Sequence, residues 1–337
     1  MLPSLYSGIS GLRANQQKLN VVANNIANSS TTGFKSQSMN FQDMISQTLS
    51  DPSAPSTSIG GVNGKQSGLG VKVAGISTDF TTGSMGTTNR TLDFAIDGTG
   101  YFVVGTGALG NDSNNTGIPD DNNVLGEGTA LTNPIDTSYT RDGAFFLDTQ
   151  GNLLTVDGHR VMGYQITGAT IDYTDDPNEQ NKMTFVDANG SGVKVENNKL
   201  IPLSIPNTIG DSKVKSFSVG KDGYITAQLA NGKTAALGQI AMVSFQNEGG
   251  LVKQGGNLYT ASPNSGQPIV RSGKGTDAAN DNSGSYGNMV QGMLEMSNVD
   301  LAQQFTDMII ATRAFQANGK IITTDDEILQ DLVNLKR

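Results

Sequence analysis

The 337 residues include 22 Lys and Arg against 31 Asp and Glu, which gives a formal net charge of −9 at pH 7. This balance argues against nucleic acid as a partner, because binding a phosphate backbone depends on clustered basic side chains. The chain has no cysteine, which excludes disulfides, thiolate nucleophiles and zinc held by cysteine. The 42 glycines and the hydrophobic content of 36% are typical of short strands joined by many turns.

At the N-terminus an apolar residue recurs every seven positions, at Leu5, Leu12, Leu19 and Ile26. This spacing predicts a helix with a single apolar seam that needs a partner. The segment lacks the basic stretch and apolar run of a cleavable secretion signal, and no later run is long enough to cross a bilayer. We therefore expect no membrane insertion, and either a cytosolic location or export without cleavage.

The middle of the chain predicts β-structure. Residues 50–70 are rich in Ser, Pro and Gly, so residues 31–70 are predicted to be a connector. Alternating apolar positions and the Asp222-Gly223 and Asn231-Gly232 steps then predict strands joined by hairpins. We expect a main β domain from residues 71–165 with 235–289. Residues 166–234 are expected to be a small outer β insertion or an extension of that domain.

The seven-residue spacing returns near the C-terminus, at Leu301, Met308, Phe315, Ile322 and Leu329. The two seams can pair as a coiled coil, or each helix can pack on a globular core as an ordinary amphipathic helix. Their position at both ends favours a coiled-coil domain from residues 1–30 with 290–337. The predicted fold class is therefore α+β and multidomain, with paired terminal helices and a middle of mainly antiparallel strands.

One loop has the spacing of oxygen ligands in a calcium site, with Asp112, Asn114, Thr116 and Asp120 as candidates. The twelfth position is Asn123, which cannot supply the bidentate carboxylate of a standard calcium loop. A solvated acidic surface loop is the simpler explanation. The candidate set is therefore weak, and no metal site is predicted.

Two other features suggest chemistry but lack the context that it needs. The glycines at 105, 107 and 110 match a dinucleotide fingerprint, but the residues that follow are poor helix formers, so no helix N-terminus is there to hold a pyrophosphate. His159 is the only histidine, and no catalytic set around it is apparent. We predict no catalytic residue and no cofactor.

A family resemblance is carried by residues 24–35, NNIANSSTTGFK. This stretch closely resembles a motif of the axial rod and hook proteins of the bacterial flagellum, and residues 68–76, 92–104, 139–143 and 297–335 resemble further family stretches in the same order. Within the motif, Asn24, Asn25 and Asn28 are expected to cap backbone groups at the end of the first helix. Gly33, Phe34 and Lys35 follow, and Gly33 is expected to permit a positive φ or to serve a purely local turn.

The resemblance implies a structural polymer rather than an enzyme. The terminal helices would pair as an inner domain around an export channel, and the nine seam residues named above would form the self-association interface. The implied location is the extracellular flagellar hook, reached through the flagellar type III export apparatus without cleavage of a signal. The implied partners are further copies of the chain and the rod, hook-cap and hook–filament junction proteins.

Within the family, three features favour a subunit of the hook, which is a flexible tube that transmits torque. They are residues 68–76, the ending at 333–337 and the length. Only about 50 residues are available for the outer domain that many hook proteins carry. A distal rod subunit therefore stays the alternative. A secreted calcium-binding adhesin or enzyme is an alternative from a different class, supported by the acidic loop and the β-rich middle.

Overall fold

The computed structural model describes residues 2–55, 60–108, 116–121, 123–126, 133–174, 176, 179–188, 193–197, 199–276 and 278–335. The chain divides into two compact units. The terminal unit comprises Met1–Ser30, Lys35–Asp79 and Val299–Arg337, and the β unit comprises Thr31–Phe34 and Phe80–Asn298. Both ends of the chain thus belong to one unit.

Two long helices and a β ribbon form the terminal unit. Its elements are α1 (Leu2–Ala27), β1 (Gln37–Asp43), β2 (Ser46–Ser50), β3 (Lys65–Gly68), β4 (Val71–Thr78) and α2 (Leu301–Asn334). The side chain of Asp300 caps α2, because it accepts hydrogen bonds from the amides of Ala302 (2.9 Å) and Gln303 (3.2 Å). The two predicted terminal helices are therefore present.

Residues 37–78 contain a two-stranded antiparallel ribbon. Strand β1 pairs with β4 from Gln37 opposite Thr78 to Asp43 opposite Val71, and β2 continues the pairing with β3. From the sequence, residues 31–70 were predicted to be a connector, and the main β domain was expected to begin at residue 71. In the structure, the two sides of the Ser/Pro/Gly-rich segment instead pair as strands, because strand pairing depends on backbone hydrogen bonds that polar residues also form. The ribbon belongs to the same unit as the helices.

The β unit consists of short strands. They are β5 (Met85–Thr87), β6 (Phe94–Asp97), β7 (Tyr101–Thr106), β8 (Thr116–Asp121), β9 (Val124–Leu125), β10 (Asn133–Pro134), β11 (Asp136–Thr140), β12 (Phe145–Leu147), β13 (Leu153–Thr155), β14 (Arg160–Tyr164), β15 (Ile171–Asp172), β16 (Lys182–Met183), β17 (Val186–Asp187), β18 (Lys199–Pro202), β19 (Thr208–Ile209), β20 (Ser212–Val219), β21 (Tyr224–Leu229), β22 (Thr234–Ile240), β23 (Met242–Ser244), β24 (Val252–Gly255), β25 (Leu258–Thr260), β26 (Ile269–Val270), β27 (Asn288–Gln291) and β28 (Met293–Glu295). Two short 3-10 helices lie at Glu248–Gly250 and Ser283–Ser285.

Most of these strands pair antiparallel, with the described β8–β10 pair parallel. Hairpins join β20 to β21 at Asp222-Gly223 and β21 to β22 at Asn231-Gly232, and both glycines have positive φ. The mainly antiparallel, β-rich middle that the sequence predicted is therefore confirmed. Strands from residues 166–234 pair with β14 and β8, so the structure places this segment in the main sheet network.

The core of the β unit lies on both faces of its sheet network. Along β7, Phe102 and Val104 belong to one buried apolar cluster, and Tyr101 and Val103 belong to the other. Successive side chains of a strand point to opposite faces, so this central strand is covered on both sides. Among the described residues, no helix combines the length and apolar character needed to cross a membrane.

Candidate self-assembly surface

The helices α1 and α2 pack antiparallel in the terminal unit. Ser4 Oγ donates to Asp325 Oδ2 (2.8 Å) at one end, and Asn25 Nδ2 donates to Gln304 Oε1 (3.0 Å) at the other. Between them, Lys18 Nζ lies 3.0 Å from Asp307 Oδ1. This register lays α1 along most of the length of α2, with polar contacts from one end to the other.

Small residues allow this close approach. Gly8 is buried, and a Cβ added to it would lie 3.4 Å from Ile322 Cγ1. A Cβ added to Gly11 would lie 2.8 Å from Asn318 Nδ2, which is too close for a side chain without movement of the neighbour. On α2, Ala311 is buried as well. Small and polar side chains therefore take part in the contact between the helices.

Of the predicted seam residues, Ile322 lies in this contact, with its Cγ1 3.4 Å from the Cβ position of Gly8. Leu5, Leu12, Leu19 and Ile26 are half-buried on α1. On α2, a half-buried group consists of Met308, Phe315 and Ile322, whereas Leu301 and Leu329 are exposed. The coiled-coil pairing of these nine residues, and their role in self-association, stay predictions.

Substituting Gly11 tests the close approach of the helices. We expect Gly11→Leu to destabilise the terminal unit by about 1–3 kcal/mol, because the new side chain must push α1 away from Asn318. Helix content followed by circular dichroism during thermal unfolding measures the loss. Gly319→Ala is the matched control, since nothing lies within 4 Å of its Cβ position and alanine favours the helix. Equal loss in both variants would contradict the close contact.

Helix α2 carries apolar side chains that the described residues of the chain leave exposed. Phe305 is 50% exposed and Ile309 is 62% exposed. Others at comparable exposure are Leu301, Ile310, Ile321, Ile328, Leu332, Val333 and Leu335. Apolar exposure on this scale along one helix is typical of a surface that contacts another protein.

A groove in the terminal unit is a second apolar surface. It has a volume of about 540 Å³ and lies between α1 and the ribbon. Its lining residues are Tyr6, Ile9, Ser10, Arg13, Ala14, Gln17, Met44, Leu69, Val71, Lys72 and Val73. The amide of Val71 donates to Ser10 Oγ (3.2 Å), which fixes the ribbon against α1 at one side of the groove.

The asparagines of the family motif join elements at the end of α1. Asn25 is fully buried, and its Nδ2 donates to the carbonyl of Gln37 (2.7 Å) while its Oδ1 accepts from the amide of Gln37 (3.0 Å). With its bond to Gln304, Asn25 links α1, β1 and α2. Asn28 Nδ2 donates to the carbonyl of Asn24 (2.9 Å), one of the unpaired groups at the helix end.

The next residues of the motif, Thr31–Phe34, belong to the β unit. Gly33 has a φ of 66°, the left-handed region that the sequence predicted, and its amide donates to the carbonyl of Glu295 (2.8 Å). A Cβ on Gly33 would lie 2.8 Å from the amide nitrogen of Asp142. Phe34 is buried, and Lys253 Nζ lies 4.2 Å from the centroid of its ring. Lys35 is also buried, and the next segment of the terminal unit begins at this residue.

Two of the family stretches, residues 92–104 and 139–143, meet at a buried ion pair. Arg141 Nη1 lies 3.3 Å from Glu295 Oε2, and neither side chain exposes more than 2% of its surface. Arg141 Nη2 also donates to the carbonyl of Gly98 (2.8 Å), and Glu295 Oε1 accepts from the amide of Gly83 (2.9 Å). A buried charge pair is stable only with such additional hydrogen bonds. Sequence reasoning missed this pair because the two residues lie 154 positions apart.

Asp142 gives the β unit a pH dependence of its own. Burial raises the pKa of this carboxyl above its ordinary value of 3.8, although hydrogen bonds from Ala144, Thr32 and Asn257 oppose the shift. The folded state therefore holds this proton more tightly than the unfolded state. The contribution of Asp142 to stability is full below pH 3.8 and is lost as the pH rises through the raised pKa.

Asp142→Asn tests this dependence. We expect the free energy of unfolding of the wild type, minus that of the variant, to fall as the pH rises through the acid range and to be constant near neutral pH. Urea unfolding at a series of pH values measures the difference. Asp136→Asn, at an exposed position of the same unit, is the control for the removal of one negative charge. A difference that rises with pH would contradict a raised pKa.

Asp112 and Asn114 of the weak calcium candidate lie outside the described residues, as do the side chains of Thr116 and Asp120. Among the described residues, no group of three or more His, Asp or Glu side chains could hold a metal ion. The features of the described chain that stand out are instead apolar surfaces, the helix pair and the buried links that hold each unit together.

Three family profiles match the chain. The flagella basal body rod protein family matches residues 5–35, the flagellar hook protein FlgE/F/G D1 domain matches residues 130–227, and the C-terminal domain of the flagellar basal body rod FlgEFG proteins matches residues 290–335. The first and last of these cover most of α1 and all of α2. The middle one covers much of the β unit.

Individual relatives match over the whole chain. The flagellar basal-body rod protein FlgG of Bacillus subtilis is 42% identical over 337 residues, covering 100% of both chains. The flagellar hook protein FlgE of Borreliella burgdorferi is 30% identical over 449 residues, again covering 100% of both chains. The hook protein FlgE of Escherichia coli is 28% identical over 427 residues, covering 97% of this chain and 98% of that one.

Proposed function

Because the chain belongs to the family of flagellar rod and hook proteins, we propose that it is the subunit of the flagellar hook. In this role it self-assembles into a hollow, flexible tube that transmits torque from the rod to the filament and lets exported proteins pass. The family consists of structural proteins of the flagellum, so the chain is not an enzyme. Its functional residues are therefore those that contact other subunits.

The observation that carries self-assembly is the exposed apolar surface of α2, centred on Phe305 and Ile309. A second copy that covers this surface gains hydrophobic free energy, about 25 cal/mol for each Å² buried. A contact between two different surfaces of the same chain repeats without closing and builds a helical polymer. The proposal pairs α1 and α2 as a coiled coil at the inner wall of such a tube.

Bending of the tube needs contacts of two kinds. Tightly packed apolar contacts between terminal units would carry torque, because they resist separation. Polar contacts between β units would exchange with water during each rotation. Strand β20, with exposed Lys215 and Ser216, suits contacts of the second kind.

Hook rather than rod is supported by the residues at 68–76 and 333–337, which resemble those of hook proteins, and by hook relatives that match the whole chain. The distal rod is the second candidate. It is favoured by the rod protein of Bacillus subtilis at 42% identity and by alignments with hook proteins of 449 and 480 residues, well beyond the 337 of this chain. Hook relatives thus contain segments that this chain lacks.

Deletion of the gene in the source bacterium separates the two candidates. Electron microscopy of basal bodies isolated from the deletion strain should show complete rods without hooks if the chain is the hook subunit. Truncated rods without hooks would identify a distal rod subunit instead. Expression of the intact chain from a plasmid is the control and should restore the missing part. Hooks and rods that both persist would contradict both candidates.

We also propose an export route for the chain and the proteins that it contacts in the flagellum. The chain is exported through the flagellar type III apparatus without cleavage, and it meets the rod, the hook cap and the hook–filament junction proteins at the two ends of the tube. Intact mass measurement of the chain from isolated flagella tests the route. A mass that matches the sequence, with or without Met1, is expected, and a mass that lacks further N-terminal residues would contradict it.

A further inference from the structure

The last turns of α2 carry an apolar stripe with an acidic border. Ile328, Leu332 and Leu335 lie at i, i+4 and i+7, on one face of the helix, and all three are exposed. Glu327 and Asp331 lie alongside this stripe at the same spacing. The end of α2 therefore presents an apolar face bordered by negative charge, which we call the α2 tip (residues 326–335).

Helix α1 does not cover the α2 tip. In the antiparallel register, Ser4 pairs with Asp325, so Leu2 lies level with Glu327. The described part of α1 thus ends where the α2 tip begins, and Val333 and Leu335 are 68% and 83% exposed. An apolar helix end with this exposure is stable only if another surface takes it up.

The groove between α1 and the ribbon has the complementary character. Its floor is apolar, with Ile9, Leu69 and Val73 among its lining residues, and it carries two cations, Arg13 and Lys72. Neither cation pairs with a carboxylate among the described residues. The volume of about 540 Å³ lies in the range of sites that bury several apolar side chains.

We propose that the α2 tip of one copy docks into the groove of the next copy. The apolar stripe fills the groove, and Glu327 and Asp331 meet Arg13 and Lys72 at its rim. This inference rests on the proposed self-assembly and specifies one of its contacts. Donor and acceptor surfaces differ, so each copy offers one of each and the contact repeats along a polymer rather than closing a pair.

Cross-linking between copies tests the contact, and the natural absence of cysteine gives a clean background. Gln17→Cys places a thiol in the groove, and Thr324→Cys places one on the stripe side of α2, one turn before Ile328, without removing an anchor of the stripe. The two full-length variants are co-expressed in the source bacterium, and isolated flagella are treated with a short bismaleimide. Docking predicts a band at twice the 35.2 kDa of the chain.

The matched control pairs Gln17→Cys with Gln330→Cys, an exposed position on the opposite side of α2 from the stripe. A dimer yield at least about tenfold above this control is expected. If both variants enter the flagella but the two yields are equal, the docking is overturned while self-assembly stands. If neither variant enters the flagella although the intact chain does, Arg13→Glu decides the question.

The charge variants give this independent measurement. Arg13→Glu and Asp331→Lys should each raise the concentration at which the purified chain polymerises by about tenfold, and the double variant should restore it. If the double variant polymerises at the concentration of the intact chain, the docking is supported. If the effects of the two substitutions on this concentration add, the docking is overturned. If the intact chain forms no polymer in the cell or in solution, the proposed function fails and the docking fails with it.

Discussion

Ile309→Asp is expected to abolish polymerisation while leaving the monomer as stable as the wild type. Ile309 is 62% exposed, so the change removes little packing within the chain. Within a polymer, burial of an isoleucine contributes about 1.5–3 kcal/mol, and a buried, unpaired carboxylate adds a further cost. The concentration needed for polymerisation should therefore rise by more than about a hundredfold. Sedimentation of polymer at increasing protein concentration measures this effect.

Gln303→Asp is the matched control, because it adds the same charge at an exposed position of α2 that faces about 120° away from Ile309. It should polymerise within about twofold of the wild type, since surface charges interact weakly in water. Thermal unfolding of both monomers verifies that neither change acts on the fold. Normal polymerisation of Ile309→Asp would show that this face of α2 stays exposed between subunits.

Arg141→Met is expected to destabilise the β unit by about 3–5 kcal/mol, because it leaves the carboxylate of Glu295 buried without its partner. The guanidinium also lies 5.2 Å from the ring centroid of Tyr101, so tyrosine fluorescence reports on its surroundings. The chain has no tryptophan to mask that signal. Urea unfolding followed by tyrosine fluorescence measures the loss.

The double variant Arg141→Met/Glu295→Met is the control for this argument. Two apolar side chains replace the charged pair, so no uncompensated charge is left, and we expect at least half of the lost stability to return. Additive losses would show instead that the hydrogen bonds to the carbonyl of Gly98 and the amide of Gly83 dominate.

The local parts of the fold could be predicted from the sequence. Seven-residue spacing located both helices, and the Asp222-Gly223 and Asn231-Gly232 steps located two hairpins, because both signals depend on residues close in the chain. The ribbon of residues 37–78 was not predicted. Its pairing depends on backbone hydrogen bonds across a segment whose Ser, Pro and Gly content indicates a loop.

The candidate surface was predicted only in part. Apolar spacing identified α2 as a contact helix, but it could not tell that Gly8 and Gly11, rather than Leu5 and Leu12, allow the close approach to α2. The spacing of large apolar residues does not show where glycines allow two helices to approach closely. The roles of Asn25 and Arg141 were also missed, since their partners lie far away in sequence. Only the fold brings those partners together.

Electron cryomicroscopy of the polymer formed by the intact chain shows whether subunits associate through the terminal unit. We expect a helical tube in which α1 and α2 line the inner wall and Phe305 and Ile309 are buried between neighbouring copies. A polymer in which α2 faces solvent, with all contacts between subunits made by the β unit, would contradict this expectation.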